Sequence, residues 1–290
     1  MTQTLCVFTP TYNRAYSLKK LYNSLVEQTS SDFYWLIVDD GSTDSTQELV
    51  ASFVNESRIS IDYVKTPNGG KQRAWNTAAV RCTAELFMCV DSDDYLTKDA
   101  VEAVVSTWTA LPKDSVLGIA TPQVPKNSLF PSKMKLKLKD IYSLYGYRGE
   151  TCIATRTDII RRHPFYVANG EKFTPELYVF DQIDQEGVHA TLNREICKGE
   201  YLEDGYSAHY GELLTRNPNS YSAYKLQCAQ YASGFSSLCR ETFLYLVWKR
   251  IAHASVFKAA KQTPHRTLAF LLAPCAVFAA VPIKEMVKRS

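Results

Sequence analysis

Two acidic clusters, each directly behind an apolar run, are the residues of this sequence best suited to chemistry. Asp39 and Asp40 follow YWLIV, and Asp91-Ser92-Asp93-Asp94 follows LFMCV. Adjacent ionised groups gain nothing inside a strand, because charge in a low dielectric is costly unless paired or hydrogen-bonded. One reading of the first cluster is a strand end leading into a capped helix. Gly41 permits the turn, Ser42 through Thr46 offer hydroxyls, and Gln47–Val50 continues as helix. That reading uses one acid at most. Two acids at the carboxyl end of a parallel strand stand where open α/β sheets bind ligands. In the second cluster three carboxylates in four residues repel one another, and a cation relieves that repulsion. Oxygen donors of this kind suit Mg²⁺ or Mn²⁺, which also bridges diphosphate oxygens. An acidic solvated turn explains either cluster alone, but chance rarely sets both behind apolar strands. The pair points to a metal–diphosphate site, with a phosphatase and a phosphotransferase both open.

The elements that must position these acids alternate. Strands are expected at Thr4–Phe8, Tyr34–Val38, Ile59–Val64 (an edge candidate) and Glu85–Val90. Helices are expected at Ser17–Gln28, Asp44–Glu56, Lys71–Arg81 and Thr97–Leu111, the last capped by Thr97. Alternation of this kind means a mostly parallel sheet covered on both faces. The first strand runs into FTPTYNRAYS with no G-x-G-x-x-G, and no GxxxxGK[ST] occurs, so a dinucleotide fold and a P-loop are excluded. Asn68-Gly69-Gly70-Lys71 reads as a glycine turn into a helix.

Beyond residue 112 the pattern loosens. Val116–Val124 and Thr151–Thr155 read as strands, with a helix at Asp158–Arg161. Lys alternates with Met134, Leu136 and Leu138, as in a half-solvated edge strand or a mobile cover. Residues 169–187 form a loop entering a helix, with Pro175 at its first position and Glu176 in its first turn. Ile196–Tyr201 is a candidate last strand of the sheet, and the chain from about 217 is helical and aromatic-rich. TLAFLLAPCAVFAAVPI, residues 267–283, is uncharged and flanked by Arg266, Lys284, Lys288 and Arg289. Three readings of it stand: a buried terminal helix carried by Leu268, Phe270, Leu271, Val277 and Phe278, a helix lying in the headgroup region of a membrane, and a spanning helix.

Bulk properties narrow the class. The 290 residues are 46% hydrophobic, enough for one large domain, or one with an appendage. Lys+Arg 33 against Asp+Glu 30 gives +3, too small an excess to argue for nucleic acid. The eight cysteines form no CxxC pair, so neither zinc nor a disulfide framework is expected. MTQTLCVFTPTYNR lacks a basic region followed by an apolar core, so a cytosolic chain is expected.

FTPTYNRAYSLKKLYNSLVEQT, VDDGSTDSTQELV, NGGKQRAWNTA and CVDSDDYL, in this order over residues 3–110, resemble glycosyltransferase family 2. GEKFTPE and the distant YLEDGYS are similar to bacterial capsule and cell-wall sugar transferases of that family. The resemblance implies an α/β GT-A fold and inverting transfer from a nucleotide-sugar, here a UDP-sugar, with Mn²⁺ or Mg²⁺. The acceptor it implies is a glycan or lipid-linked, in surface polysaccharide synthesis. It divides the chain into a catalytic domain at 1–215 and a helical extension at 216–290. Within the first, 1–110 is the nucleotide-sugar half and 111–215 the acceptor-side half. A lipid carrier at the inner face of the cell membrane is what the resemblance implies for such an acceptor, and the apolar tail with its flanking cations makes 265–290 the segment expected to touch that membrane peripherally.

Carried onto this chain, the resemblance places Thr9, Thr11, Tyr12 and Arg14 in the nucleotide pocket. Asp39 accepts from the base, with Asp40 close behind, while Lys71 and Arg73 touch base edge or phosphate. Asp91 reaches ribose or sugar hydroxyls beside Ser92, Asp93 holds the cation directly, and Asp94 completes the metal motif. Inversion by direct displacement needs a carboxylate that takes the acceptor proton. The Glu-Asp pair of many relatives aligns here with Glu171-Lys172, so Lys stands where Asp is expected. Glu176 is the favoured base, Glu171 the alternative, and Asp181 comes third. His209 is either a late metal or diphosphate contact or an ordinary loop histidine. The departure at Lys172 keeps a second function open, a non-catalytic nucleotide-sugar-binding module.

Overall fold

Seven consecutive buried residues, LCVFTPT, make β1 (Leu5–Thr11), and FYWLIVD makes β2 (Phe33–Asp39). Runs like these, apolar on both faces, belong in the centre of a parallel sheet. In this computed structural model, which describes residues 3–124, 130–199 and 209–288, the remaining strands are β3 (Ile61–Lys65), β4 (Leu86–Cys89), β5 (Asp94–Leu96), β6 (Gly118–Val124), β7 (Lys135–Leu136), β8 (Glu150–Arg156), β9 (His189–Thr191) and β10 (Cys197–Gly199). Eight of them form one sheet in the order β3-β2-β1-β4-β8-β6-β9-β7. The β3-β2-β1-β4 half is entirely parallel, β8 runs antiparallel to β4 and β6, and β9 is again parallel to β6. Both edges are as expected, with β3 at one end and the Lys-rich β7 at the other.

Alternation along these strands covers both faces. Leu5, Val7, Trp35, Ile37, Leu86 and Met88 share a cluster with α1 (Ala15–Val26), α2 (Thr46–Glu56) and α4 (Ala100–Ala110). In α1 the buried residues Leu18, Leu21, Tyr22 and Leu25 recur at the spacing of one helical face. Phe8 and Phe87 point the other way, with the ring of Trp75 from α3 (Lys71–Arg81) 6.0 and 4.9 Å from theirs. Each such side chain contributes roughly 1.5–3 kcal/mol by leaving water.

β1 outruns its predicted end at Phe8 because its proline costs no ladder bond. Phe8 O accepts Val90 N–H at 2.9 Å on the β4 side, so Pro10, two residues on, faces that side too. The β1–β4 register ends at Phe8 and Cys89, whereas β1–β2 pairing continues to Thr11 and Asp39. A proline is tolerated where no partner strand awaits its N–H. Past the end of β4, therefore, β1 and β2 run on as a pair with no strand beside β1 on that side.

Several expectations are corrected. Ile196–Tyr201 does not close the sheet; Cys197–Gly199 pairs antiparallel with β5 in a separate two-stranded ribbon, and Tyr201 lies outside the described residues. β5 itself was not foreseen, because three residues carry no periodicity. Asp99, not Thr97, stands at the N-cap of α4. Pro175 lies two residues before α7 (Leu177–Glu186) rather than at its first position.

His189 in β9 is fully buried, its Nε2 3.0 Å from Thr155 Oγ1 and its Nδ1 without a partner. Burial pushes its pKa down to about 3. Between the ordinary value near 6.5 and about 3 the unfolded chain binds a proton that the folded one refuses. Stability therefore falls with falling pH in this window, by up to about 1.4 kcal/mol per pH unit. Denaturant unfolding at several pH values should show a shallower dependence in His189→Leu than in wild type. Equal slopes would mean the ring is protonated when folded.

The chain divides into two compact units, Met1–Pro164 with Val179–Tyr201, and Phe165–Tyr178 with Leu202–Ser290. The second is helical: α8 (Tyr210–Arg216), α9 (Pro218–Gln230), α10 (Phe235–Ile251), α11 (Val256–Ala260) and α12 (Arg266–Lys288). Its core holds Tyr245, Leu246, Val247 and Trp248 of α10 against Ala269, Ala273, Ala276 and Ala280 of α12.

Candidate functional site

Within the first unit, side-chain hydrogen bonds tie together the loops after β1, β2 and β4 and the turn before α3. Asn13, at φ 53°, donates its backbone N–H to Ser42 Oγ at 2.9 Å, and its side-chain Oδ1 accepts Thr43 N–H at 2.8 Å. The Asp40 carboxylate is spent on the glycine turn. Its oxygens accept Gly69 N–H at 2.7 Å and Gly70 N–H at 2.8 Å, and its carbonyl accepts Asn68 Nδ2 at 2.8 Å. Gly70, at φ 94°, adopts a conformation other residues avoid and opens α3 at Lys71. Asp39, fully buried, accepts from Ser42 N–H at 2.7 Å and from the Tyr63 hydroxyl at 2.6 Å. That bond and burial push the Tyr63 phenol well up, burial being the larger cause.

Lys71, at the start of α3, reaches the acids after β4, its Nζ donating to Asp91 Oδ2 at 2.7 Å. Arg14 Nη1 approaches Asp93 Oδ2 at 4.0 Å, and Arg73 donates to Gly69 O at 2.8 Å. Burial, then the charge of Asp91, raises the pKa of Asp93. Burial, then Asp91 and Asp93, brings Asp94 up to about 7. Thr9 accepts from Trp35 Nε1 at 2.9 Å, whereas Thr11 Oγ1 is buried with no hydrogen-bond partner. Tyr12 is exposed and Ser92 buried.

Asp94 has three further neighbours that the acidic motif does not disclose. Gln123 of β6 donates to Asp94 Oδ2 at 2.6 Å, Cys197 lies beside the same oxygen, and Gly199 admits Asp94 Oδ1 so closely that no Cβ would fit. Pairing of β10 with β5 brings Cys197 and Gly199 there, whereas Gln123 comes from β6 of the main sheet, and neither short strand announces its pairing locally.

Among the described residues no three His, Cys, Asp or Glu side chains converge to hold a metal ion unaided. The donor set still fits a cation shared with a ligand. Half-buried carboxylates whose charges oppose one another gain from a cation, and Mg²⁺ or Mn²⁺ is commonly held by one or two carboxylates plus phosphate oxygens.

Glu171 and Glu176 belong to the second unit. Glu171 is buried and caps α9: Oε1 accepts Asn219 N–H at 2.8 Å and Oε2 accepts Ser220 N–H at 2.7 Å. Ser220 Oγ in turn accepts Ala168 N–H at 3.0 Å. A carboxylate on the free N–H groups of a helix start satisfies donors that nothing within the helix can reach. Glu176 is exposed, immediately before α7; Asp181 is half-buried within that helix, and His209 is exposed ahead of α8. YLEDGYS lies outside the described residues.

Residues 6–165 match the family model of glycosyl transferase family 2. The chain belongs to that family. Poly(ribitol-phosphate) β-N-acetylglucosaminyltransferase TarS of Staphylococcus aureus strain Mu50 is 26% identical to it over 214 residues, 69% of this chain and 37% of TarS. Glycosyltransferase GlyA of Streptococcus pneumoniae is 31% identical over 39% of this chain and 16% of its own length. The chain therefore spans little more than a third of the first of these curated relatives and less of the second. Among solved structures, S. aureus TarS 1–349 in complex with UDP-GlcNAc has a TM-score of 0.60 at 16% identity, covering 96% of this chain and 92% of that one. Mannosyltransferase PcManGT from Pyrobaculum calidifontis, in complex with GDP-Man and Mn²⁺, has a TM-score of 0.56 at 19% identity, covering 98% and 83%. This family 2 chain has the GT-A fold: a mixed central sheet, helices on both faces, and C-terminal helices.

Proposed function

We propose that this family 2 chain transfers a sugar, with inversion, from a UDP-sugar to a glycan or lipid-linked acceptor in surface polysaccharide synthesis. The observation that carries the reading is the Lys71–Asp91 pair beside Asp93, at the open end of the parallel half-sheet. Cation and carboxylates meet there as a diphosphate and its counter-ion would require. TarS, whose name specifies N-acetylglucosamine transfer to poly(ribitol-phosphate), supports the choice of donor and acceptor class.

In this reading Thr9, Thr11, Tyr12 and Arg14 line the nucleotide pocket, and the orphaned Thr11 hydroxyl gains the partner that a buried polar atom needs. Asp39 accepts from the base, Asp40 shapes the Gly69-Gly70 turn, and Lys71 and Arg73 hold phosphate. Asp91 and Ser92 meet ribose or sugar hydroxyls. Asp93, backed by Asp94, would hold Mn²⁺ or Mg²⁺, which when bound neutralises charge on the departing diphosphate. Glu176 takes the proton of the acceptor hydroxyl.

The test is a panel of nucleotide-sugars assayed for nucleoside diphosphate release with Mn²⁺ or Mg²⁺. One UDP-sugar should be hydrolysed slowly by the chain alone, and that activity should vanish in EDTA. Donor binding with no turnover in the presence of any acceptor would instead make the chain a binding module.

A further inference from the structure

The inward face of α12 is made of alanines. Ala269, Ala273, Ala276 and Ala280 recur along one side of the helix and are buried against α10. The opposite side carries large apolar groups in water: Leu271 is 73% exposed, Phe278 83% and Val281 71%. Residues 271, 274, 278 and 281 follow the spacing of a single helical face. Phe257 of α11, itself half-exposed, stacks on Phe270 with ring centroids 6.5 Å apart and widens the patch. A soluble surface seldom leaves so much contiguous apolar area uncovered without a use for it.

The charge around this face indicates what covers it. Between Val256 and Lys288 the chain has five cations, Lys258, Lys261, Arg266, Lys284 and Lys288, against one carboxylate, Glu285. None of the cations lies between Thr267 and Ile283, so they flank the apolar stretch rather than interrupt it. Apolar side chains framed by lysine and arginine match the boundary between acyl chains and anionic headgroups.

We propose that the outer face of α12 is an anchor that lies in the plane of an anionic phospholipid surface. By length and composition α12 would also cross a bilayer. Crossing would strip the alanine face from α10, whose Arg240 and Glu241 form an ion pair and whose last turn carries Lys249 and Arg250, so α10 cannot follow into hydrocarbon. Lying flat keeps the alanine packing and immerses only Leu271, Phe278, Val281 and their neighbours. The proposal does not depend on the transferase reading.

Co-sedimentation of the full chain with vesicles tests it. The protein should pellet with vesicles of phosphatidylglycerol and phosphatidylcholine in equal parts, but not with phosphatidylcholine alone. Leu271→Asp/Phe278→Asp/Val281→Asp should lose about 10²-fold or more in partitioning, and Arg266→Glu/Lys288→Glu about 10-fold or more. Both variants should keep the wild-type melting temperature, because the altered side chains are exposed. Absence of pelleting overturns the proposal, as does equal binding to both vesicle types. A triple variant that no longer folds makes the face part of the core and overturns it as well. A dimer in sedimentation velocity that the triple variant abolishes, with no lipid binding, assigns the face to a second copy of the chain instead.

Discussion

Asp93→Ala should lower sugar transfer by about 10²-fold or more without lowering the melting temperature. The two halves of this expectation have different origins. Loss of activity follows from the proposed place of Asp93 beside the diphosphate, where its charge would hold the counter-ion of the leaving group. Retention of stability follows from the structure. Burial and the nearby Asp91 raise the Asp93 pKa, so at neutral pH its ionised form opposes folding rather than supporting it. A carboxyl raised in the folded state stabilises least above its ordinary range, and its removal is neutral or favourable there. Turnover, donor affinity and thermal melting measured on one preparation separate the two effects. Wild-type turnover in Asp93→Ala would remove this residue from the reaction, and full activity of the wild type in EDTA would remove the cation.

Glu176→Gln and Glu171→Gln should fail in opposite ways. The first should lose roughly 10²- to 10⁴-fold in transfer, the range expected for a general base, while binding donor and melting like wild type. Glu176 is exposed and stands just before α7, and glutamine keeps its size and shape, so the change removes a charge without opening a cavity. The second should lower stability by about 1–3 kcal/mol, because three charge-assisted bonds from Asn219 and Ser220 to the Glu171 carboxylate weaken together. Its transfer rate per folded molecule should be close to wild type. If Glu171→Gln instead abolishes transfer at unchanged stability, the base is Glu171. If both keep wild-type rates, Asp181 is the next carboxylate to test.

The sequence by itself determined the parallel half of the sheet and the location of its chemistry. LCVF, YWLIV and LFMCV are apolar on both faces, and helices with one apolar face separate them, a pattern that has few solutions. The acids that follow two of these runs fall at the carboxyl ends of β2 and β4, and α3 spans its predicted Lys71–Arg81. Each of these facts depends on neighbours within a dozen residues, which is the range over which periodicity and turn chemistry act.

Tertiary structure decided what depends on partners far along the chain. Pro10 looks like a strand breaker until β4 is seen to stop short of it. Gly199 reaches Asp94 because a three-residue strand pairs with β10 about a hundred residues later, and Gln123 reaches it from β6, a strand of the main sheet. Glu171 sits in a segment shaped like an acid–base motif, and its carboxylate is consumed by a helix that begins at Pro218. In TLAFLLAPCAVFAAVPI the large side chains suggested which face would dock, yet the alanines docked. Small residues let two helix backbones approach closely, and that gain, invisible in hydropathy, leaves Leu271, Phe278 and Val281 facing outward.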